Sequence, residues 1–211
     1  MKDHFPQGRK SSRIKRLLNE AIVILHSAGV PVNGLTERRL ERMALCFLAV
    51  SGVTKSWRQA QSLSDKRYLK TREIIEFINQ HFDENISSGS YDDIRRKDLK
   101  LPVLAGLIVN SGLNPTAATN DPTRGYSLHP DFGALVRTFG TKDWETGLRS
   151  FLATRETLAE TLARKRAITK VPVILPEAKS VKSLTSRTWV RQQESVVICF
   201  DLPKGATTIT V

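Results

Sequence analysis

The chain has 211 residues, 40% of them hydrophobic, and carries 33 Lys and Arg against 21 Asp and Glu, a formal net charge of +12. That length suits one large domain or two small ones with a real core, and the charge favours an anionic partner, nucleic acid before membrane. No run reaches the roughly 18 apolar residues of a membrane span. The basic start lacks the apolar stretch of a secretion signal, and Cys46 and Cys199 have neither zinc nor disulfide spacing, so a cytoplasmic protein with reduced thiols is expected.

Read in order, the chain divides into an N-terminal helical region (1–68), a central unit (69–140), a long helix packing on it (141–170) and a tail (171–211). The first dozen residues are basic. Lys2, Arg9 and Lys10 have the charge for a phosphate-binding arm, but a frayed terminus is the favoured reading. Ile14, Leu17, Leu18, Ala21, Ile22 and Leu25 follow helical spacing over Ser12 to Ala28, with His26 near the helix end. Thr36 caps a second helix whose buried stripe is Leu40, Met43, Ala44, Phe47 and Leu48. Residues 51–66 are polar, with Trp57 as their apolar anchor. A third helix is expected from Leu69 to Phe82, built on Ile74, Ile75, Phe77, Ile78 and Phe82.

The stretch Ser90–Lys100 carries the most specific signal. Ser90 with Asp93 three residues on is a capping-box-like start, Gly89 allows a sharp entry, and Asp92 and Asp93 suit a helix N-terminus. Arg95, Arg96, Lys97 and Lys100 follow. With Ile94 or the Ile94–Leu99 pair facing a core, Arg96 and Lys100 turn outward, one turn apart, where both can meet one groove of DNA. Pro102 breaks or kinks the helix, and Gly106 ends the apolar continuation. Leu107–Ile108–Val109 and Gly125–Tyr126–Ser127–Leu128 read as two strands joined by a loop rich in Asn, Thr, Gly and Pro. The order helix, strand, loop, strand is that of a winged helix-turn-helix, with a reading helix presenting Tyr91, Arg95, Arg96, Lys97 and Lys100 and a wing presenting Arg124. The competing reading is a merely solvated charged face.

After the wing, Pro130 opens a short helix containing Leu135 and Val136, ended near Gly140. A long helix is expected across Thr141 to Ile168, with Trp144, Leu148, Phe151, Leu152, Leu158 and Leu162 on its apolar side and Arg164, Lys165 and Arg166 at its basic end, suited either to the helix dipole or to phosphate. The prolines in Val171–Pro176 argue against a central strand. Val196–Phe200 and Thr207–Val211 form two candidate strands, turning at Lys204–Gly205. The fold class is thus mainly α, containing a winged helix-turn-helix with a small β-hairpin wing and a short irregular or β tail.

No catalytic constellation emerges. A magnesium-dependent nuclease needs clustered carboxylates with a nearby Lys. Glu177–Ala178–Lys179 lacks the preceding strand carboxylate, and Asp92, Asp93 and Asp98 stand among basic residues as caps and ion pairs. There is no phosphate loop, and His4, His26, His81 and His129 lack zinc spacing.

A longer series of residues resembles a known family. Gly89–Leu99, then Ala118–Tyr126, then Phe139-Gly-Thr141 with Trp144, look like the N-terminal helix-turn-helix domain of the BsuBI/PstI group of type II restriction endonucleases, over about Ile14 to Pro176. That resemblance implies double-stranded DNA as partner, a palindromic target compatible with a homodimer, and a following magnesium-dependent nuclease domain. Against that plan, the chain stops at Val211 and no nuclease opening follows Pro176. The expectation is therefore a DNA-binding portion without its catalytic part, from a truncated or frame-shifted gene, with no cofactor of its own and inactive alone. The alternatives are a free-standing winged-helix transcription regulator and a protein-interaction module built on the same fold.

Overall fold

The helical spacing of the N-terminal half is realised in the computed structural model, which describes residues 10–110 and 125–163 together with the backbone of 164–166, 173–174, 189–192 and 195–198. Helix α1 spans Ser12–Ser27, its N-cap Ser11 accepting a hydrogen bond from the Ile14 N–H at 3.4 Å. All six of its expected core residues are buried. Helix α2, Glu37–Ser51, starts at the expected Thr36 cap. From Met43 to Ser51 every residue of α2 is buried, the mark of a helix enclosed on all sides. It packs against α1, against the third helix, against the charged stretch near residue 94 and against the small sheet. Burying a Leu, Ile or Phe side chain contributes roughly 1.5–3 kcal/mol, so this enclosed half-helix and the apolar face of α1 are both main contributors to the core.

A helix end buried this deeply must have its carbonyls satisfied. Arg67 does so, donating from Nη2 to the Ala49 carbonyl at 2.8 Å and from Nε to the Val50 carbonyl at 3.1 Å. Trp57 is the expected anchor of the polar segment. It is buried, stacks on Phe47 with centroids 5.6 Å apart and donates its indole N–H to Glu20 at 2.7 Å. Lys10, assigned above to a frayed arm, instead reaches into an enclosed cluster with Glu41 and Glu84.

Helix α3 spans Thr71–His81 rather than starting at Leu69. The Glu73 carboxylate takes the Lys70 N–H at 2.7 Å and closes the first turn there. Leu69 remains extended and exchanges two hydrogen bonds with Tyr126, at 2.9 and 2.8 Å. The next helical segment runs from Ser88 to Leu104 in pieces: a 3₁₀ turn at Ser88–Ser90, α4 at Tyr91–Asp93, a π-helical turn at Ile94–Asp98 and α5 at Lys100–Leu104. Gly106 then ends it as expected. Its φ is +68°, its N–H meets the Val103 carbonyl, and the Leu107 N–H meets that of Pro102, the pair of bonds that closes a helix through a left-handed residue.

Strands β1 (Ile108–Val109) and β2 (Ser127–Leu128) pair antiparallel, Ile108 opposite Leu128. With the Leu69 bridge, residues 126–128 lie between 69 and 108–109. Gly125 permits the approach: a Cβ there would sit 3.0 Å from the Leu69 carbonyl oxygen. Helix α6, Pro130–Arg137, has proline in its first turn and the His129 side chain as its cap.

The single helix expected over Thr141–Ile168 is two, α7 at Trp144–Ala153 and α8 at Leu158–Arg166. The break follows from a capping box. The Thr157 hydroxyl accepts from the Glu160 N–H at 3.2 Å, and the Glu160 carboxylate accepts from the Thr157 N–H at 2.9 Å, which starts a new helix. The side chains of Arg164, Lys165 and Arg166 lie outside the described residues.

The chain forms two compact units, residues 1–160 and 161–211. In the second, β3 (Val173–Ile174), β4 (Trp189–Gln192) and β5 (Ser195–Ile198) form an antiparallel sheet in the order β3-β5-β4. The edge place of β3 agrees with its neighbouring prolines. The expected partnering of 196–200 with 207–211 is replaced, for 195–198, by pairing with Trp189–Gln192 and Val173–Ile174. Residues 199–211, including Cys199, lie outside the described set. Among the described residues the first unit is mainly helical with one small two-stranded antiparallel sheet, and no helix is long and apolar enough to cross a membrane.

Replacing Gly106 with alanine puts a Cβ on a left-handed residue, which costs about 1–2 kcal/mol. A urea melt should show that loss as a lowered midpoint with unchanged slope; an unmoved midpoint would mean the turn readily takes another form.

Candidate nucleic-acid interface

Helical segment 88–104 is positioned by what it buries. Ile94, Asp98, Leu99 and Pro102 are buried, while Tyr91, Arg95, Arg96, Lys97 and Lys100 are exposed. In an α-helix, residues five apart such as Ile94 and Leu99 point about 140° away from each other. The π-helical turn resolves this: the Leu99 N–H bonds to the Ile94 carbonyl at 2.8 Å, an i to i+5 closure that brings both onto the core side. The three consecutive basic residues inside the turn are thereby all presented to solvent. Pro102 follows immediately and brings no N–H to the Asp98 carbonyl.

The start of the segment differs from the expectation. Ser90 makes no side-chain cap, and Ser87 takes that place, its hydroxyl accepting from the Gly89 N–H at 3.3 Å. Gly89 needs no unusual backbone, since a Cβ there would meet only the Ser87 hydroxyl at 3.6 Å. Asp92 and Asp93 are freed from capping and pair along the helix. Asp92 binds Arg95 at 3.0 Å and Arg96 at 2.8 Å, and Asp93 binds Lys97 at 2.9 Å. The Lys97 ammonium holds the Asp93 carboxyl below the usual aspartate range. The three cations are 56–68% exposed, and solvent screening leaves ion pairs so exposed with little effect on stability. A phosphate can therefore exchange for these carboxylates at small cost. Lys100 makes no ion pair among the described residues.

Tyr91 is 47% exposed and lies under the guanidinium of Arg72, 5.7 Å from the ring centroid. Arg72 is exposed near the start of α3, so a second helix brings a cation beside the predicted set. Arg124 lies outside the described residues. The structure thus gathers five of the six predicted residues on one segment.

The residue that sequence reasoning undervalued is Asp98. Its carboxylate is buried and receives both Nε and Nη2 of Arg42 at 3.2 Å, tying the segment to α2. Spacing alone hints at this, because Asp98 shares the inward face with Ile94 and Leu99, but the partner lies 56 residues earlier. Burial raises the Asp98 carboxyl above the ordinary aspartate value of 3.8, with Arg42 pulling the other way. Beside the pair, Cys46 is fully buried and its thiol is pushed up chiefly by burial.

These carboxylates do not fit magnesium. Asp92, Asp93 and Asp98 are each committed to basic partners, and no group of three His, Cys, Asp or Glu among the described residues is placed to hold a metal.

A model of the family described as the BsuBI/PstI restriction endonuclease HTH domain matches residues 15–160. The chain is 28% identical over 166 residues to the type II restriction enzyme BsuBI of Bacillus subtilis, covering 78% of this chain and 50% of that protein. Its fold is similar to that of the SdaI restriction endonuclease, with a TM-score of 0.55 at 24% identity, over 75% of this chain and 48% of that one. The chain spans about half the length of the relatives it matches.

Removing one partner of a buried ion pair costs about 3–5 kcal/mol, so Asp98→Ala should destabilise the fold by that amount in a urea melt. The pH dependence has a definite sign. With its folded pKa raised, Asp98 keeps its proton in the folded state after the unfolded chain has lost it, so its contribution is full below the unfolded value and is lost as pH rises through the folded one. Asp98→Asn should remove that decline from the stability profile above about pH 4; an unchanged profile would show that Asp98 does not titrate there.

Proposed function

The chain belongs to the BsuBI/PstI restriction endonuclease HTH-domain family, and from that premise we propose that residues 15–160 bind double-stranded DNA, with the segment from Tyr91 to Leu104 entering the major groove. One observation carries the reading: a single helical segment buries one face on α2 and exposes Arg95, Arg96, Lys97 and Lys100 on the other. The placement of 126–128 between 69 and 108–109 supports a winged arrangement of these strands. In this reading α2, α3 and the 88–104 segment are the three helices of the unit. The biological role proposed is the DNA-recognition part of a BsuBI-like type II restriction system acting in the cytoplasm. Family membership favours this over a free-standing regulator of transcription.

The cations divide between base reading and phosphate contact. Arg96 presents a planar fork that can pair bidentately with the O6 and N7 edges of guanine, whereas Lys97, Lys100 and Arg124 act as charges on phosphate. No metal takes part in binding.

Isotherms on two duplexes of different sequence at several salt concentrations test this. Arg96→Ala should cost roughly 1–3 kcal/mol and relax the preference between the duplexes. Lys100→Ala should weaken both equally and reduce the salt slope by about one contact. Binding should persist in EDTA. If both variants fold and leave affinity, slope and preference unchanged, the segment is not the reading element.

A further inference from the structure

We propose that the cleft between the first turn of α2 and the π-helical turn seats one backbone phosphate of bound DNA, held by Arg39 with Arg38 and Lys97. The proposal rests on the DNA-binding reading above and adds a contact that α2, not the reading segment, supplies. The cleft measures about 320 Å³ and brings together Arg38, Arg39, Arg42 and Lys97 with Asp93 and Asp98. Four cations thus face two carboxylates. Asp98 is taken by Arg42 at 3.2 Å and Asp93 by Lys97 at 2.9 Å. Arg38 leans on Glu41 at 3.4 Å, and Glu41 also answers Lys10 at 3.5 Å. The Arg39 guanidinium is half-buried and makes no direct ion pair among the described residues; it feels Asp98 only at longer range, and that carboxylate is held by Arg42.

A cation partly withdrawn from water, whose nearest carboxylate is already bound by another arginine, is incompletely neutralised. A phosphodiester oxygen pair completes it, because its single negative charge and geometry match the guanidinium fork. The helix start itself supplies little: the Thr36 hydroxyl already accepts the Arg39 N–H at 3.4 Å. Recognition therefore falls to side-chain charges. Lys97 belongs both to the cleft and to the exposed row of the reading segment, so the bound strand that it touches would pass Arg39 next. The Lys97–Asp93 pair is exposed on both sides, at 62% and 53%, and a pair of that kind yields readily to phosphate.

The test uses the full chain, two duplexes of different sequence and a salt series. Arg39→Gln should lower affinity by the same factor on both duplexes and reduce the slope of log K against log salt by about one. Arg39→Lys should recover the slope, and thermal melts of both variants should match the parent. Inorganic phosphate at matched ionic strength forms the second arm, and it should compete no better than chloride. Saturable phosphate binding that Arg39→Gln abolishes while the DNA slope stays unchanged would make this a free-anion site and overturn the proposal. A shifted preference between duplexes in Arg39→Gln would move Arg39 to base reading and overturn it too. If the parent chain binds DNA with a steep slope and Arg39→Gln keeps it, the cleft assignment alone fails. If the parent shows no salt-dependent DNA binding, the functional reading fails with it.

Discussion

The enclosure of α2 is the constraint on which the rest of the first unit depends. From Met43 to Ser51 no face of this helix is free, so each neighbouring element must offer it an apolar surface. α1 and the central segment both pack on it, and they bury Leu17, Leu18 and Ile22, and Ile94 and Leu99, respectively. The carbonyls at its buried end are answered by Arg67 from outside the helix. Only its first turns reach solvent, and there it is basic. The same helix therefore provides the core at one end and charge at the other.

Arg42 and Asp98 lie where these two regimes meet. A buried ion pair is weak evidence for stability, because desolvation offsets much of the attraction. Its effect here is on register. The two contacts from one guanidinium to one carboxylate oxygen fix the rotation of the π-helical turn relative to α2. That rotation decides which side chains point away: Arg95, Arg96 and Lys97 are outside because Ile94, Asp98 and Leu99 are inside. The exposed cations and their intrahelical carboxylates form weak, solvent-screened pairs.

Much of this was legible in the residues. Amphipathic spacing located α1, α2, α3 and α6, and the burial of Ile94 with Arg96 and Lys100 outward followed from periodicity. Trp57 as an anchor and Gly106 as a stop were also readable, each from a single residue of strong character. What escaped the sequence had specific causes. The Thr157–Glu160 box that splits the last long helix was present as a plain motif, but a continuous apolar side masked it. The π-helical turn has no compositional mark; it arises because Ile94 and Leu99 must both reach the core. The Arg42–Asp98 pair and the Leu69–Tyr126 bridge join positions far apart in sequence, which local patterns do not encode.

Amide hydrogen exchange of the full chain, with and without saturating duplex DNA, tests the central claim most directly, because it reports contact along the whole backbone without altering a residue. The account predicts that DNA slows exchange across 88–104 and at the start of α2, around 36–42, while the enclosed half of α2 and the body of α1 stay as they were. Protection confined to other parts of the chain, with 88–104 exchanging at its unbound rate under saturation, would contradict it.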